Sequence, residues 1–214
     1  MSKSLASVDW REARRRSARG AIVDAAWELV HKDGLAALSL RDVAERAGIT
    51  TPTVYAYFDS KNAIYDAMFG RAAAEFADRM TQPFAEVDPR ALLVAAATRF
   101  AEFCTSDVAR YQLLFQRTIL AFEPSAESYA PAVRALGASR QRLSLAGITQ
   151  PRHVDLWTAL LTGLVDQQVS NDPGGSRWIR LVDEAVTMFL SHCQSASSPR
   201  RTKSNQSPTK GTRP

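Results

Sequence analysis

The stretch running from Thr50 to Lys61 puts three hydroxyls, Thr50, Thr51 and Thr53, around Pro52 and follows them with Tyr55, Tyr57 and a cation, Lys61. None of these is a strong acid or a metal ligand. Their chemistry is hydrogen bonding and contact with anions. Hydroxyls on the first turn of a helix can donate to or accept from base edges, and a threonine methyl can meet the methyl of thymine. A helix N-terminus, with unpaired N–H groups and the positive end of the dipole, suits a phosphate. Tyr55, Tyr57 and Lys61 follow where they could clamp a nucleic-acid backbone on either side, although packing inside is the alternative for Tyr55 and an equal one for Tyr57.

Covalent chemistry has no comparable foothold. His31, His153 and His192 stand apart, with no Cys or His at ligand spacing, and neither a phosphate-cradling glycine loop nor a nucleophile elbow is present. Cys104 and Cys193 lack metal-type spacing and are expected to be reduced core thiols. No catalytic residue, metal or cofactor is expected. The longest nearly apolar run, Leu156 to Val165, is about half of the ~20 residues that a membrane span needs, and no apolar segment follows the basic N-terminus. No membrane association and a cytoplasmic location are expected.

The elements that position the hydroxyls are helices. Period-two alternation is nowhere sustained, whereas apolar residues recur at helical spacing between Gly and Pro breaks. The first helix is expected from about Ser17 to Lys32, with Ile22, Ala25, Ala26, Leu29 and Val30 on one face and Gly34 ending it. Ser39 caps a second helix, Asp42 takes the capping-box position, and Leu40, Val43, Ala44 and Ala47 make its buried stripe. Gly48 turns the chain, Thr50 or Thr51 caps a third helix with Pro52 in its first turn, and Ser60 caps a fourth. Two helices joined by so short a glycine turn form a helix-turn-helix, whose second helix enters the major groove by its N-terminal residues. Phe58 is expected in the core, with Val54 plugging it.

Charge supports the same partner. The formal net charge is +5 at pH 7, and residues 1–20 carry six cationic side chains, among them Arg14, Arg15 and Arg16, against Asp9 and Glu12. Residues 195–214 hold five cations and no acid, so the body between is mildly acidic. Clustered Arg and Lys attract polyanions in a salt-dependent way. The C-terminal run has no means of forming a core and is expected to be a solubilising end.

Gly34, Ser39, Ala44, Gly48, Thr53, Tyr55, Tyr57, Phe58, Ser60 and Lys61 together resemble the DNA-binding head of the TetR family of bacterial regulators, over residues 18–69. The resemblance implies DNA contacts at Arg41, Thr51, Pro52, Thr53, Tyr55, Tyr57 and Lys61, to which Thr50 and the arginines at 14–16 are added. Thr51 and Ala56 stand where relatives often carry longer polar side chains, so base reading would lean on the arm and on DNA shape. The expected fold is all-α: a basic disordered arm (1–16), a three-helix helix-turn-helix domain (17–60), a helical ligand-binding and dimerisation domain (61–194) and a basic disordered tail (195–214).

Body helices are expected near 90–105, 108–118, 130–145, 151–170 and 176–193. The last two are apolar over about half their circumference or more, which favours two burial partners each and a two-fold dimer built through Leu160, Gly163, Leu164, Trp178, Val182, Val186 and Phe189 over two central core helices of a monomer. Phe100, Phe103, Cys104, Tyr111, Leu114, Phe115, Thr118, Phe122, Trp157 and Leu161 are the candidates for a cavity that takes a mainly apolar effector, although any one of them serves equally as plain core. Arg99, Arg117, Gln167 and Gln168 are candidate polar anchors. The reading is a homodimeric, effector-released repressor on a palindromic double-stranded operator. The alternative is a sequence-neutral architectural DNA-binding protein, which the basic arms favour and the large apolar body does not.

Overall fold

The computed structural model describes the backbone of residues 2–197 and the side chains of 10–195. The described residues form nine α-helices and no strand, with a helix-turn-helix unit at the N-terminal end of an all-helical body. The basic tail lies outside them beyond residue 197.

The first helix, α1 (Ser2–Asp33), does not begin at Ser17. The expected disordered arm is instead continuous with it. Residues 10–19 are mostly Arg and Ala and hold no Gly or Pro, so nothing interrupts the helix. It ends at Gly34, whose φ of +82° only glycine adopts freely. A 3-10 turn at Leu35–Ala37 leads to α2 (Leu40–Arg46) and α3 (Thr51–Tyr55). Then come α4 (Lys61–Thr81), α5 (Pro89–Thr105), α6 (Val108–Phe115), α7 (Ala126–Leu145), α8 (Pro151–Asn171) and α9 (Val182–Ser197). The caps explain these starts: Ser60, Asp88, Asp107 and Ser125 each accept a hydrogen bond from a backbone N–H in the first turn of the helix that follows. Helix α7 therefore starts some four residues earlier than its apolar pattern indicates. Helix α9 starts later, because a 3-10 turn at Ile179–Leu181 precedes it.

Two hydrophobic cores result. Ile22, Ala26, Val30, Val43, Ala44, Val54, Phe58, Ile64 and Met68 fill the head. Leu93, Ala97, Cys104, Tyr111, Leu143, Trp157, Val165, Val186 and Phe189 fill the body. The division expected at residue 60 does not coincide with the division between cores. Helix α4 gives Ile64, Tyr65, Met68 and Phe69 to the head and Ala77 and Met80 to the body. Helix α6 also crosses, since Leu113 lies in the head core and Tyr111 in the body core. No described helix is long and apolar enough to cross a membrane.

Candidate nucleic-acid interface and ligand cavity

The turn between α2 and α3 is fixed by the backbone. Gly48 has φ +67°, which lets the Ile49 N–H reach back to the Ala44 carbonyl (2.9 Å) and its own N–H reach Glu45 (3.1 Å). That is a Schellman closure, and it needs glycine at its left-handed residue. Ser39 opens α2, its Oγ accepting from the Asp42 N–H at 3.2 Å. Thr50 opens α3, its Oγ1 accepting from the Thr53 N–H at 3.4 Å and lying 2.8 Å from Thr53 Oγ1. The Thr53 hydroxyl is thereby oriented but retains capacity for one further partner. Pro52, Tyr55 and Ala56 are exposed, Thr51, Thr53 and Tyr57 are half-buried, and Val54 and Phe58 are buried beneath them.

Across an open cleft from Pro52, Thr53, Ala56 and Tyr57 stand Trp10, Arg11, Arg14 and Arg15 of α1. The helical arm and the short α3 are thus two walls of one groove, one cationic and one bearing hydroxyls. Arg16 is exposed but does not line the groove. Trp10 and Arg11 join the expected arginines in this wall, each within about one helical turn of Arg14 or Arg15. Arg19 is a further addition. It donates to the Tyr57 carbonyl, and its Cζ lies 4.1 Å over the Phe58 ring, so it fixes the end of α3 against α1.

Lys61 is partly committed within the head. Its Nζ reaches the Ala36 carbonyl at 3.3 Å and lies 5.5 Å from the centre of the Tyr65 ring. Tyr65 in turn donates to the Leu35 carbonyl, and burial raises its phenol pKa. Arg41 is exposed at the start of α2.

A cavity of about 260 Å³ lies among α4, α5, α6, α7 and α8. Five of the ten candidates line it: Phe100, Leu114, Phe115, Trp157 and Leu161. The other five do not. Phe103 is core, packed 5.2 Å from Phe76 and covered by the Arg110 guanidinium. Cys104 is fully buried, which pushes its thiol far above the usual range. Tyr111 is buried and spends its hydroxyl on Asp166 at 2.7 Å; burial first, and then that carboxylate, push the phenol up. Thr118 is exposed. Phe122 packs on Tyr65 and Phe69 in the head.

None of the four polar anchors lines the cavity: Arg117 and Gln167 are exposed, and Arg99 and Gln168 are spoken for. Arg99 donates to the carbonyls of Gln82 (2.8 Å) and Pro83 (3.2 Å), and buried Gln168 accepts from Trp178 and Ile179 while donating to Asp172. The unpredicted walls come from α4, with Phe69, Phe76 and Met80, and from α7, with Ala132, Ala135, Leu136, Ser139 and Arg142. The α7 set recurs at helical spacing, but its small and polar side chains make no apolar stripe in the sequence.

The expected dimer residues divide in two. Val182, Val186 and Phe189 are buried within the chain's own core and present nothing to a second copy. Gly163 is exposed with open space above it, Leu160, Leu164 and Trp178 are half-buried, and Leu156 and Met188 are exposed on the same two helices. A stripe covering half a helix is satisfied here largely from inside.

Among the described residues no group of three His, Cys, Asp or Glu side chains could hold a metal ion. Residues 22–68 match the model of the bacterial regulatory proteins of the tetR family. The chain is 31% identical over 103 residues to the HTH-type transcriptional activator FasR of Mycolicibacterium smegmatis, an alignment covering 48% of this chain and 47% of that protein. It thus spans about half the length of this curated relative. A tetR-family transcriptional regulator from Streptomyces coelicolor superposes with a TM-score of 0.67 at 22% identity, over 86% of this chain and 84% of that one. A TetR variant from Acinetobacter baumannii, solved in complex with minocycline, superposes with a TM-score of 0.57 at 20% identity, over 84% and 97% of the two chains.

Proposed function

From this chain's membership of the TetR family of bacterial regulators, carried by residues 22–68, we propose that it is a cytoplasmic repressor that binds a palindromic operator as a homodimer and is released by a mainly apolar small molecule. Residues 17–60 with the first turns of α4 form the reading head, and the rest of α4 through α9 forms the sensing and dimerising body. Thr51 and Thr53 read base edges. Tyr55, Tyr57, Arg41 and Lys61 hold the phosphates, with Arg14 and Arg15 on the facing wall of the groove. The two-fold contact runs through Leu156, Gly163 and Met188, which the chain's own core leaves exposed, and through the outer faces of Leu160 and Leu164, which pack only partly against it.

One observation carries the reading. Phe69 on α4 is buried in the head core and at the same time lines the body cavity. Any molecule that displaces that ring acts on the packing beneath the reading helix. A fold-level likeness to a protein solved with minocycline supports a small-molecule occupant of the body. Repression rather than activation depends on where the operator lies relative to its promoter.

The test is footprinting on host DNA. Two protected half-sites one helical turn (~34 Å) or somewhat more apart support the proposal. Uniform, sequence-independent coverage supports an architectural protein instead.

A further inference from the structure

Among the described residues, a single charged side chain lines the cavity. Arg142, on α7, lines it beside Phe76, Phe100, Phe115, Trp157 and Leu161. A guanidinium carries five N–H donors and no acceptor. Here one N–H reaches the Met80 carbonyl, and Cζ lies 4.7 Å from the centre of the Phe84 ring. Arg99 approaches the same ring at 3.4 Å. Among the described residues no carboxylate lies within ion-pair distance of either arginine. Burial, and then the charge on Arg99, work against the cationic form of Arg142. A half-withdrawn cation beside a second cation is stabilised by an anion.

Ser139 adds the second feature. It lies three residues before Arg142 on the same helix face, lines the same cavity and has no hydrogen-bond partner among the described residues. By contrast, the hydroxyls of Thr158 and Thr162, also in the lining, already donate to the carbonyls one turn back. Free donors therefore collect at the α7 end, and the remaining lining is mostly aromatic and aliphatic. An apolar cavity of about 150 Å³ holds benzene. The 260 Å³ present here leaves room for a ring and a short acid arm.

We infer that this cavity takes a small amphipathic carboxylic acid, its aryl or short acyl body in the aromatic lining and its carboxylate on Arg142 and Ser139. The inference rests on the cavity being the effector site. A charge-assisted hydrogen bond away from water is about twice as strong as a neutral one, and a guanidinium meets a carboxylate in a two-point geometry.

The experiment is calorimetric titration of the full chain near neutral pH with hydrocinnamic acid and with its neutral, near-isosteric amide. The acid is expected to bind the wild type roughly tenfold tighter, or more, as a charged pairing implies. In Arg142→Met the advantage disappears while affinity for the amide is retained, and Ser139→Ala reduces it by a smaller factor. Equal affinity for acid and amide in the wild type overturns the assignment, as does an acid preference that survives in Arg142→Met. Should Arg142→Met fail to fold, the wild-type pair and Ser139→Ala still decide. Binding of the amide without preference for the acid overturns the carboxylate assignment and leaves the effector reading standing. Binding of neither compound overturns the carboxylate assignment, and operator release then tests the sensor reading by itself.

Discussion

The Asp66 carboxylate on α4 accepts both donors of Ser125, its N–H at 2.6 Å and its Oγ at 2.9 Å, and so fastens the N-cap of α7 to the helix that carries the head. Ser128 Oγ adds a third bond at 2.9 Å, and a Cβ on Gly70 would sit 2.9 Å from that same oxygen, so the two helices touch closely there. Helix α7 is also the wall that bears Ser139 and Arg142. Asp66→Ala leaves three donors without their acceptor and is expected to cost about 2 kcal/mol, the scale of hydrogen bonds to a charged group. Asp66→Asn, which keeps one acceptor oxygen, should cost less. Chemical denaturation of the three proteins checks the order; equal stability would mean that water replaces the carboxylate without loss.

Arg19 is expected to act on DNA binding indirectly. Its contacts with the Tyr57 carbonyl and the Phe58 ring set where α3 ends. Arg19→Lys keeps the charge but loses the planar stack. Operator affinity should fall roughly tenfold, about 1.4 kcal/mol, with an unchanged dependence on salt. Fluorescence anisotropy across a salt series distinguishes the roles, because a slope reduced by about one would make Arg19 a phosphate contact instead.

The groove assigns different tasks to its two walls. Arg14→Gln and Arg15→Gln should each weaken binding to every sequence and lower the salt slope by about one. Thr53→Val keeps the shape, removes the hydroxyl and should redistribute preference among operator variants. It also removes the partner of Thr50 Oγ1, so a helix-cap loss of at most about 1 kcal/mol is expected alongside. Uniform loss of affinity on all variants would assign Thr53 to capping alone.

The head was legible because its determinants are local. Ser39, Gly48, Thr50 and Ser60 each act within a few residues of chain, and their caps and turn form as their types dictate. The cavity was half legible, because which face of a helix lines a void depends on neighbours far away in sequence. Phe103 and Phe100 lie three residues apart, yet only Phe100 reaches the cavity. Phe122 reads as a body residue by position and is drawn into the head by Tyr65 and Phe69. Val182, Val186 and Phe189 show the limit of counting apolar circumference, since a broad stripe does not say whether one core or two cover it. The arm differs for another reason: in α1 its helix propensity and the lack of a breaker outweigh the mutual repulsion of its arginines.

His153 should make stability sensitive to acid. It is buried, its Nε2 has no hydrogen-bond partner among the described residues, and the His192 ring stands edge-on at 6.0 Å. Burial, then Arg152 and His192, hold its pKa below the ordinary 6.5. The unfolded chain therefore takes up the proton first as pH falls. Stability is full above 6.5 and declines as the pH drops below that value toward the depressed folded one. In thermal melts over this window the wild type should lose stability on acidification relative to His153→Leu, because the variant lacks the titrating group. Parallel curves would show that His153 folds with the same proton affinity it has unfolded.

The strongest demand on the proposed mechanism falls on Leu114. It lines the cavity from α6 and packs against both cores, next to Leu113 of the head core. A ligand shifts DNA binding only by the margin with which it prefers the DNA-incompetent arrangement, and a tenfold loss of operator affinity takes about 1.4 kcal/mol of coupling. Leu114→Trp should fill part of the void, so an effector loses its space while the reading groove, which shares no lining residue with the cavity, is untouched. Operator affinity without effector is expected to stay within about threefold of wild type, and the effector-induced loss should vanish. Overpacking of a dense interior commonly costs 1–3 kcal/mol, so a melting curve accompanies the titration. If the folded variant still releases its operator with the wild-type effector dependence, the ligand acts from somewhere other than this cavity. If it instead loses operator affinity with no effector present, a filled cavity and a bound ligand are equivalent, and α6 is the element through which the body moves the head.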